Sequence, residues 1–206
     1  MKLKSIVVGP VGTNCYIMSS DSKDCFIVDP GEDADRISNY IKSEGLDVYG
    51  ILLTHGHFDH ITAVNELRDE FNCPVFAGAD EEKMLLDSNL NSCGFGMGAP
   101  VVIKDVNYLS DGEEFNIADF TIKTLFTPGH TPGGVCYYIK KEGILFSGDT
   151  LFCMSVGRTD FPGGSSSTLI RSIKEKLLPL PDDTKVYTGH GEATDIGFEK
   201  QNNYFL

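Results

Sequence analysis

All five histidines of this chain fall where a strand-like run ends, so a fold that uses them together must bring several strand ends to one place. Three form a tight cluster, Thr54-His55-Gly56-His57-Phe58-Asp59-His60, directly after the run Val48-Tyr49-Gly50-Ile51-Leu52-Leu53. The other two sit in glycine turns, Thr127-Pro128-Gly129-His130 and Thr188-Gly189-His190-Gly191. Two neutral imidazoles two residues apart, with a carboxylate and a third imidazole just beyond, have the residue types and spacing of a metal site. No fragment carries this alone: a lone His-x-His is mostly incidental, and a Gly148-Asp149-Thr150 turn is by itself turn chemistry. Taken jointly, the bland reading needs every histidine to reach a strand end by chance.

The run of the chain supports such convergence. Short β-rich stretches at Ile6 to Val8, Cys15 to Met18 and Cys25 to Val28 are separated by turn residues and predict an antiparallel meander. A helix is expected from about Asp33 to Ser43, with Ile37 and Ile41 four apart and a stop at Gly45. The strand over Val48 to Thr54 then delivers the histidine cluster, and residues 61–71 read as a helix leaving it. A second half repeats the style, with strands near Phe120 to Phe126, Val135 to Ile139 and Ile144 to Phe146, a helix from about Ser167 to Leu178, and a strand at Lys185 to Tyr187. His130, Asp149 and His190 each follow one of these strands, the pattern of one site assembled from the rims of two sheets. Between Asp80 and Pro100, Met84, Leu85 and Leu86 are helical in character, while Cys93-Gly94-Phe95-Gly96-Met97-Gly98 reads as an apolar loop, more a surface connection than a pocket cover.

Spacing suggests how the ligands divide. On an extended loop, residues i and i+2 project the same way, so His55 and His57 can grip one ion, joined by His130. Asp59 and His60 follow after the chain has begun to turn and face a different point, which His190 can join. With Asp149 bridging, seven ligands serve two divalent ions, about 3.5 to 4 Å apart in such centres. The nitrogen and oxygen donors suit zinc, the first expectation, and also iron or manganese.

Composition removes some alternatives. A net charge of −13 argues against a broad nucleic-acid surface, although two divalent ions and an arginine can reverse the field locally for a small anionic substrate. No stretch approaches the roughly 18 apolar residues that span a bilayer, and the N-terminal apolar run is too short for a signal peptide. The six cysteines show no paired spacing and read as buried reduced thiols, which predicts a cytoplasmic protein, with Cys153 close to the Asp149 turn.

The motif His55-x-His57-x-Asp59-His60, followed by His130, Asp149 and His190 in that order, resembles the metallo-β-lactamase superfamily over nearly the whole chain. The resemblance implies an α/β fold, an αββα sandwich of two sheets flanked by helices with the metals at one edge, and the same ligand division. Residues 1–206 are expected to form a single such domain. Within the superfamily the chain is similar to the short bacterial glyoxalase II-like proteins, the hydroxyacylglutathione hydrolases. The stretches that carry this likeness are Ser147-Gly148-Asp149-Thr150-Leu151-Phe152, Gly157-Arg158-Thr159-Asp160-Phe161, Tyr187-Thr188-Gly189-His190-Gly191 and the ending Asn203-Tyr204-Phe205-Leu206. Asp149 as a bridge argues against β-lactam hydrolysis, and His57 argues against the flavodiiron branch, which carries glutamate there. Arg158 matches a basic position that contacts glutathione in relatives, whereas the neighbouring aromatic of the long enzymes is replaced by Asp160. Only residues 191–206 follow His190, so the C-terminal helical region that grips glutathione in the long enzymes is expected to be absent.

The activity expected from these residues is hydrolysis of a small-molecule thioester such as a hydroxyacylglutathione. A hydroxide generated at the metals would attack the carbonyl, with Asp59 orienting the nucleophile or accepting its proton. The alternatives are a mononuclear iron persulfide dioxygenase of the same superfamily, which shares a stretch like Gly157 to Phe161, a phosphodiesterase or nuclease, which the acidic balance disfavours, and a catalytically idle metal-binding module.

Overall fold

The computed structural model describes residues 1–91 and 100–206, so the apolar loop over Cys93 to Gly98 lies outside the described residues. The chain forms an αββα sandwich. Its first sheet is built from β1 (Lys2–Val8), β2 (Thr13–Ser19), β3 (Asp24–Val28), β4 (Asp47–Leu52), β5 (Val75–Gly78) and β6 (Val106–Leu109), in that spatial order. The expected meander is present, since β1, β2 and β3 pair antiparallel. From β3 onward the pairing is parallel, with α1 (Ala34–Glu44) connecting β3 to β4. That helix ends at Gly45, whose left-handed backbone turns its N–H back onto the Ile41 and Lys42 carbonyls.

The second sheet contains β7 (Glu114–Ile117), β8 (Phe120–Phe126), β9 (Val135–Ile139), β10 (Ile144–Gly148), β13 (Lys185–Thr188) and β14 (Thr194–Asp195), ordered β14-β13-β10-β9-β8-β7. A small hairpin, β11 (Leu151–Phe152) with β12 (Ser155–Val156), stands between β10 and the following helix. Only β10 and β13 pair parallel in this sheet.

Period-two alternation explains the layers. In β2, Cys15 and Ile17 face the helices of the first layer while Tyr16 and Met18 face the other sheet. β3 divides the same way, with Cys25 and Ile27 outward and Phe26 and Val28 inward. Across the sandwich, Val135, Tyr137 and Ile139 of β9 and Ile144 and Phe146 of β10 meet them, while Cys136, Tyr138 and Leu145 face α5 (Ser166–Ser172). Strands apolar on both faces are what two covered sheets require.

Two helices are more segmented than their sequence predicts. The run after the histidine cluster is α2 (Phe58–Ile61) and then α3 (Val64–Phe71), rather than one helix over 61–71. The extended His57 sets the start of α2, and the break comes at Ala63, whose N–H donates to the Pro30 carbonyl at 3.1 Å instead of continuing the helix. The helix expected to reach Leu178 is α5 followed by a π-helical turn over Ile173–Leu177. Four cysteines, Cys15, Cys25, Cys73 and Cys136, are buried free thiols, and burial pushes Cys25 up to about 12 and Cys136 to about 11. Cys153 is partly exposed, and Cys93 lies outside the described residues. Among the described residues no helix is long and apolar enough to cross a membrane, and α4 (Glu82–Leu86) and α6 (Ile196–Asn202) complete the helices.

Candidate metal centre

The C-terminal ends of β3, β4, β8, β10 and β13 open onto one edge of the sandwich, and the candidate ligands stand just beyond them. Hydrogen bonds hold the two sheets together at this rim. The Tyr16 hydroxyl donates to the Thr188 carbonyl at 2.7 Å, the Asn14 side-chain amide donates to the same oxygen at 3.0 Å, and Tyr137 donates to the Leu53 carbonyl at 2.9 Å. Donor atoms of His55, His57 and His130 all lie within 4.8 Å of one another, as do those of Asp59, His60 and His190. Asp149 stands between the two groups: its Oδ2 is 3.6 Å from Nε2 of both His130 and His190, and its Oδ1 is 3.4 Å from His60 Nε2. Gly189 makes room for this carboxylate, because a Cβ there would stand 2.1 Å from Asp149 Oδ1.

Outer partners set which nitrogen each imidazole turns inward. The Thr54 hydroxyl donates to Asp29 Oδ2 at 2.6 Å, so its oxygen is left to accept from His55 Nδ1 at 3.1 Å. His60 Nδ1 donates to Asp29 Oδ2 at 2.9 Å, and His130 Nδ1 donates to the Arg158 carbonyl at 2.7 Å. All three rings therefore turn Nε2 to the site, and in the neutral imidazole that nitrogen offers a lone pair, as metal-binding histidines require. Asp29 also lies within reach of His55 and His60, but its two oxygens are taken up by the Thr54 N–H, the Thr54 hydroxyl and His60, which makes it a carboxylate that orients ligands.

The electrostatics suit a cation. Burial, reinforced by the neighbouring imidazoles, pushes His55 well down, and burial with His130 takes His57 down to about 3. Burial would raise Asp59, yet His60, His190 and the Thr13 hydroxyl outweigh it and hold the carboxyl well below the usual range. Asp149 is likewise lowered, burial being outweighed by His60, His130 and His190. His60 is driven the other way: burial opposes its charge, but Asp149, Asp29 and Asp59 together lift it well above the ordinary imidazole value. Among the described residues five buried side-chain polar atoms have no hydrogen-bond partner, and three are His55 Nε2, His60 Nε2 and Asp149 Oδ1. Such orphaned atoms are costly unless something satisfies them. The neutral His55 and His57 imidazoles with ionised carboxylates fit a divalent metal, and the positive charge that the carboxylates draw onto His60 is one that a bound cation would replace.

Several contributing residues were not marked by the motif. Thr13, at the start of β2, donates to Asp59 Oδ2 at 2.9 Å. Asp29 follows a buried strand in Asp29-Pro30-Gly31, which reads as an ordinary turn. Glu81 sits in the acidic run Asp80-Glu81-Glu82, which reads as a solvated face, yet it is buried, and burial pushes its carboxyl up to about 7 against three hydrogen bonds that lower it. Arg158 is at the rim, but its guanidinium forms a two-pronged pair with Asp160 at 2.7 and 2.6 Å and lies 4.0 Å over the Phe161 ring. Phe161 in turn meets His57 edge-on with centroids 5.4 Å apart, and Phe152 flanks His190 at 6.2 Å.

If ions hold this edge shut, chelation should soften the whole sandwich. A ligand present at about a thousand times its dissociation constant stabilises by ~4 kcal/mol, and for a chain of this size each kcal/mol shifts Tm by about 2 to 4 °C. Treatment with a strong chelator is therefore expected to lower Tm by roughly 8 to 16 °C in scanning calorimetry. An unchanged Tm after verified metal removal would show that the ions contribute nothing to the fold.

This fold with candidate metal-binding His and Asp clusters at one edge is that of the metallo-hydrolase class, and the chain belongs to the metallo-β-lactamase superfamily, whose sequence profile matches residues 8–190. More particularly, it is 46% identical to the probable metallo-hydrolase YqgX of Bacillus subtilis, covering 100% of this chain and 98% of that protein. It is 37% identical to the hydroxyacylglutathione hydrolase GloC of Haemophilus influenzae, again over 100% of this chain and 98% of the relative. Among solved structures it resembles BLEG-1, described as a B3 metallo-β-lactamase, with a TM-score of 0.94, 45% identity, and coverage of 100% and 99%. It also resembles TTHA1623 in a di-iron-bound form, with a TM-score of 0.90, 33% identity, and coverage of 98% and 100%.

Proposed function

We propose that the chain is a dinuclear metal-dependent hydrolase of thioesters, with a hydroxyacylglutathione or similar thiol conjugate as substrate. The observation that carries this reading is the placement of Asp149, which reaches His130 of one cluster and His60 and His190 of the other. His55, His57 and His130 would hold one ion and Asp59, His60 and His190 the second, with Asp149 shared. The two-ion count is supported by the di-iron-bound relative, and the substrate class by the relative named as a hydroxyacylglutathione hydrolase.

Bound there, two divalent ions would lower the pKa of a water toward neutrality and polarise the substrate carbonyl. The remaining work belongs to the chain. Asp59 and His190 are the more open members of the second cluster, with side-chain exposures of 14% and 26%, so substrate enters on their side. Asp59 stays ionised, is fixed by the Thr13 hydroxyl, and is placed to accept the proton released when water attacks. Phe152 and Phe161 provide apolar walls at the mouth. A thiolate leaves without a strong general acid, and all five histidines are already assigned to the ions.

The test is turnover of S-lactoylglutathione against a panel of other thioesters, a cephalosporin, and glutathione persulfide with oxygen uptake recorded, on protein of measured metal content. Thioester hydrolysis with two ions per chain supports the reading. The name of BLEG-1 makes β-lactam cleavage the second reading, and preferential cephalosporin turnover would replace the first. Oxygen consumption with one iron per chain would identify the dioxygenase alternative instead.

Arg158 is proposed to meet the anionic end of the thiol conjugate, where the Asp160 carboxylate now occupies its two-pronged face. Releasing it by Asp160→Asn is expected to lower KM for S-lactoylglutathione about two- to fivefold, the scale of an exposed ion pair, with kcat unchanged. Arg158→Ala should raise KM for the same substrate. If neither variant alters KM, the substrate does not reach this arginine.

A further inference from the structure

Glu81 is the buried member of an otherwise exposed acidic run, lying in the 3-10 turn Ala79–Glu81 that follows β5. Its carboxylate joins the two halves of the sandwich at the metal edge. Oε1 accepts from the Gly56 N–H at 2.8 Å, and Gly56 is the residue between His55 and His57. Oε2 accepts from the Thr131 hydroxyl at 3.1 Å and the Gly133 N–H at 2.8 Å, in the turn that begins at His130. The backbones are pressed together here: a Cβ on Gly133 would stand 2.1 Å from the Glu81 nitrogen. One side chain therefore touches the loop carrying two of the three imidazoles of the first cluster and the loop carrying the third.

We propose that Glu81 is a positioning residue that fixes the span between the His55–His57 loop and the His130 loop, and so sets the geometry of the three-imidazole ion site. It contacts none of the three rings and acts through the peptide groups beside them. The carboxylate suits this task because it is acceptor-only on both oxygens, and all three groups facing it are donors. A glutamine in its place has one acceptor oxygen, and whichever way its NH2 turns, it faces the Gly56 or the Gly133 N–H, so one of the two loops loses its backbone anchor. Glu81 makes no hydrogen bond to the second cluster: Asp59 is held by the Thr13 hydroxyl, His60 by Asp29, and His190 by its backbone bridge to Thr13.

The inference rests on the two-ion reading above but not on the thioester substrate, so its test is a binding measurement. Metal-stripped full-length protein is titrated with Zn²⁺ against a chromophoric chelator, and the step lost in His57→Ala identifies the ion of the first cluster. Glu81→Gln is expected to weaken that step about ten- to a hundredfold, the usual effect of removing a partner that orients ligands, while the other step stays within about threefold. Thr131→Val, which removes one donor and keeps the carboxylate, should weaken the same step several-fold. Unchanged binding, or equal weakening of both steps, would overturn the proposal and leave Glu81 a general fold contact. If Glu81→Gln does not fold by circular dichroism, Thr131→Val decides by the same criterion. A wild-type titration with a single step would overturn the two-ion reading, and Glu81 is then judged on that step alone.

Discussion

Asp149→Ala is expected to lose metal and turnover together: fewer than two ions per chain by elemental analysis, and a fall in kcat/KM of at least about 10³-fold, or ~4 kcal/mol of transition-state stabilisation. The size follows from position. The Asp149 carboxylate is within 3.6 Å of imidazoles from both clusters, and it is held ionised by those imidazoles in spite of burial. Alanine removes a negative charge that faces imidazoles of both groups and empties the space beside Gly189 that the carboxylate occupies. Asp149→Asn separates charge from volume, because the amide keeps the shape and one acceptor oxygen. It should retain more metal than the alanine variant while remaining strongly impaired. An alanine variant with two ions and full activity would show that the ligand assignment is wrong.

Asp29→Ala is expected to cost about 3 to 5 kcal/mol of stability, as loss of one member of a buried charged network does, and to lower Tm by roughly 6 to 20 °C. Asp29 is 2% exposed and serves the Thr54 N–H, the Thr54 hydroxyl and His60 Nδ1 at once. Its backbone is left-handed, with φ of 50°, a conformation that aspartate and asparagine tolerate better than alanine. Asp29→Asn keeps that tolerance and one acceptor, so its loss should be smaller. Because Thr54 also receives His55, the alanine change frees two imidazoles to rotate, and weaker metal binding should accompany the lower Tm. Calorimetry of both variants in chelator isolates the effect on the fold from the effect on the ions, and an alanine variant that melts like the parent would remove Asp29 from this role.

The candidate ligand residues could be picked out because they are local: four stand within His55 to His60, and the others follow strands whose apolar character is plain in the sequence. What holds those ligands was not. Asp29 precedes His60 by 31 positions and Glu81 precedes Thr131 by 50, separations with no periodicity to reveal them. Both also carry a plausible local explanation, as a turn aspartate and as part of an acidic surface run. The short strands β5, β6, β7, β11, β12 and β14 escaped for a related reason: two to four residues do not display an alternation, and their pairing comes from the strand beside them. The split between α2 and α3 is likewise tertiary, since the Ala63 N–H is taken by the carbonyl of Pro30, more than thirty positions earlier.

The closure of the two sheets over one rim also fixes when the site can exist. Asn14 and Thr188 are joined across 174 positions, and the His190 turn comes after β13, the last long strand of the second sheet. Pairings this distant in sequence form late and slowly. A chain of which only the first sheet has formed presents His55, His57 and His60 without His130 or His190, so it holds only part of either cluster. Both candidate clusters are thus complete only once the second sheet has closed against the first, whereas a shorter chain would offer an ion three imidazoles from the first sheet alone.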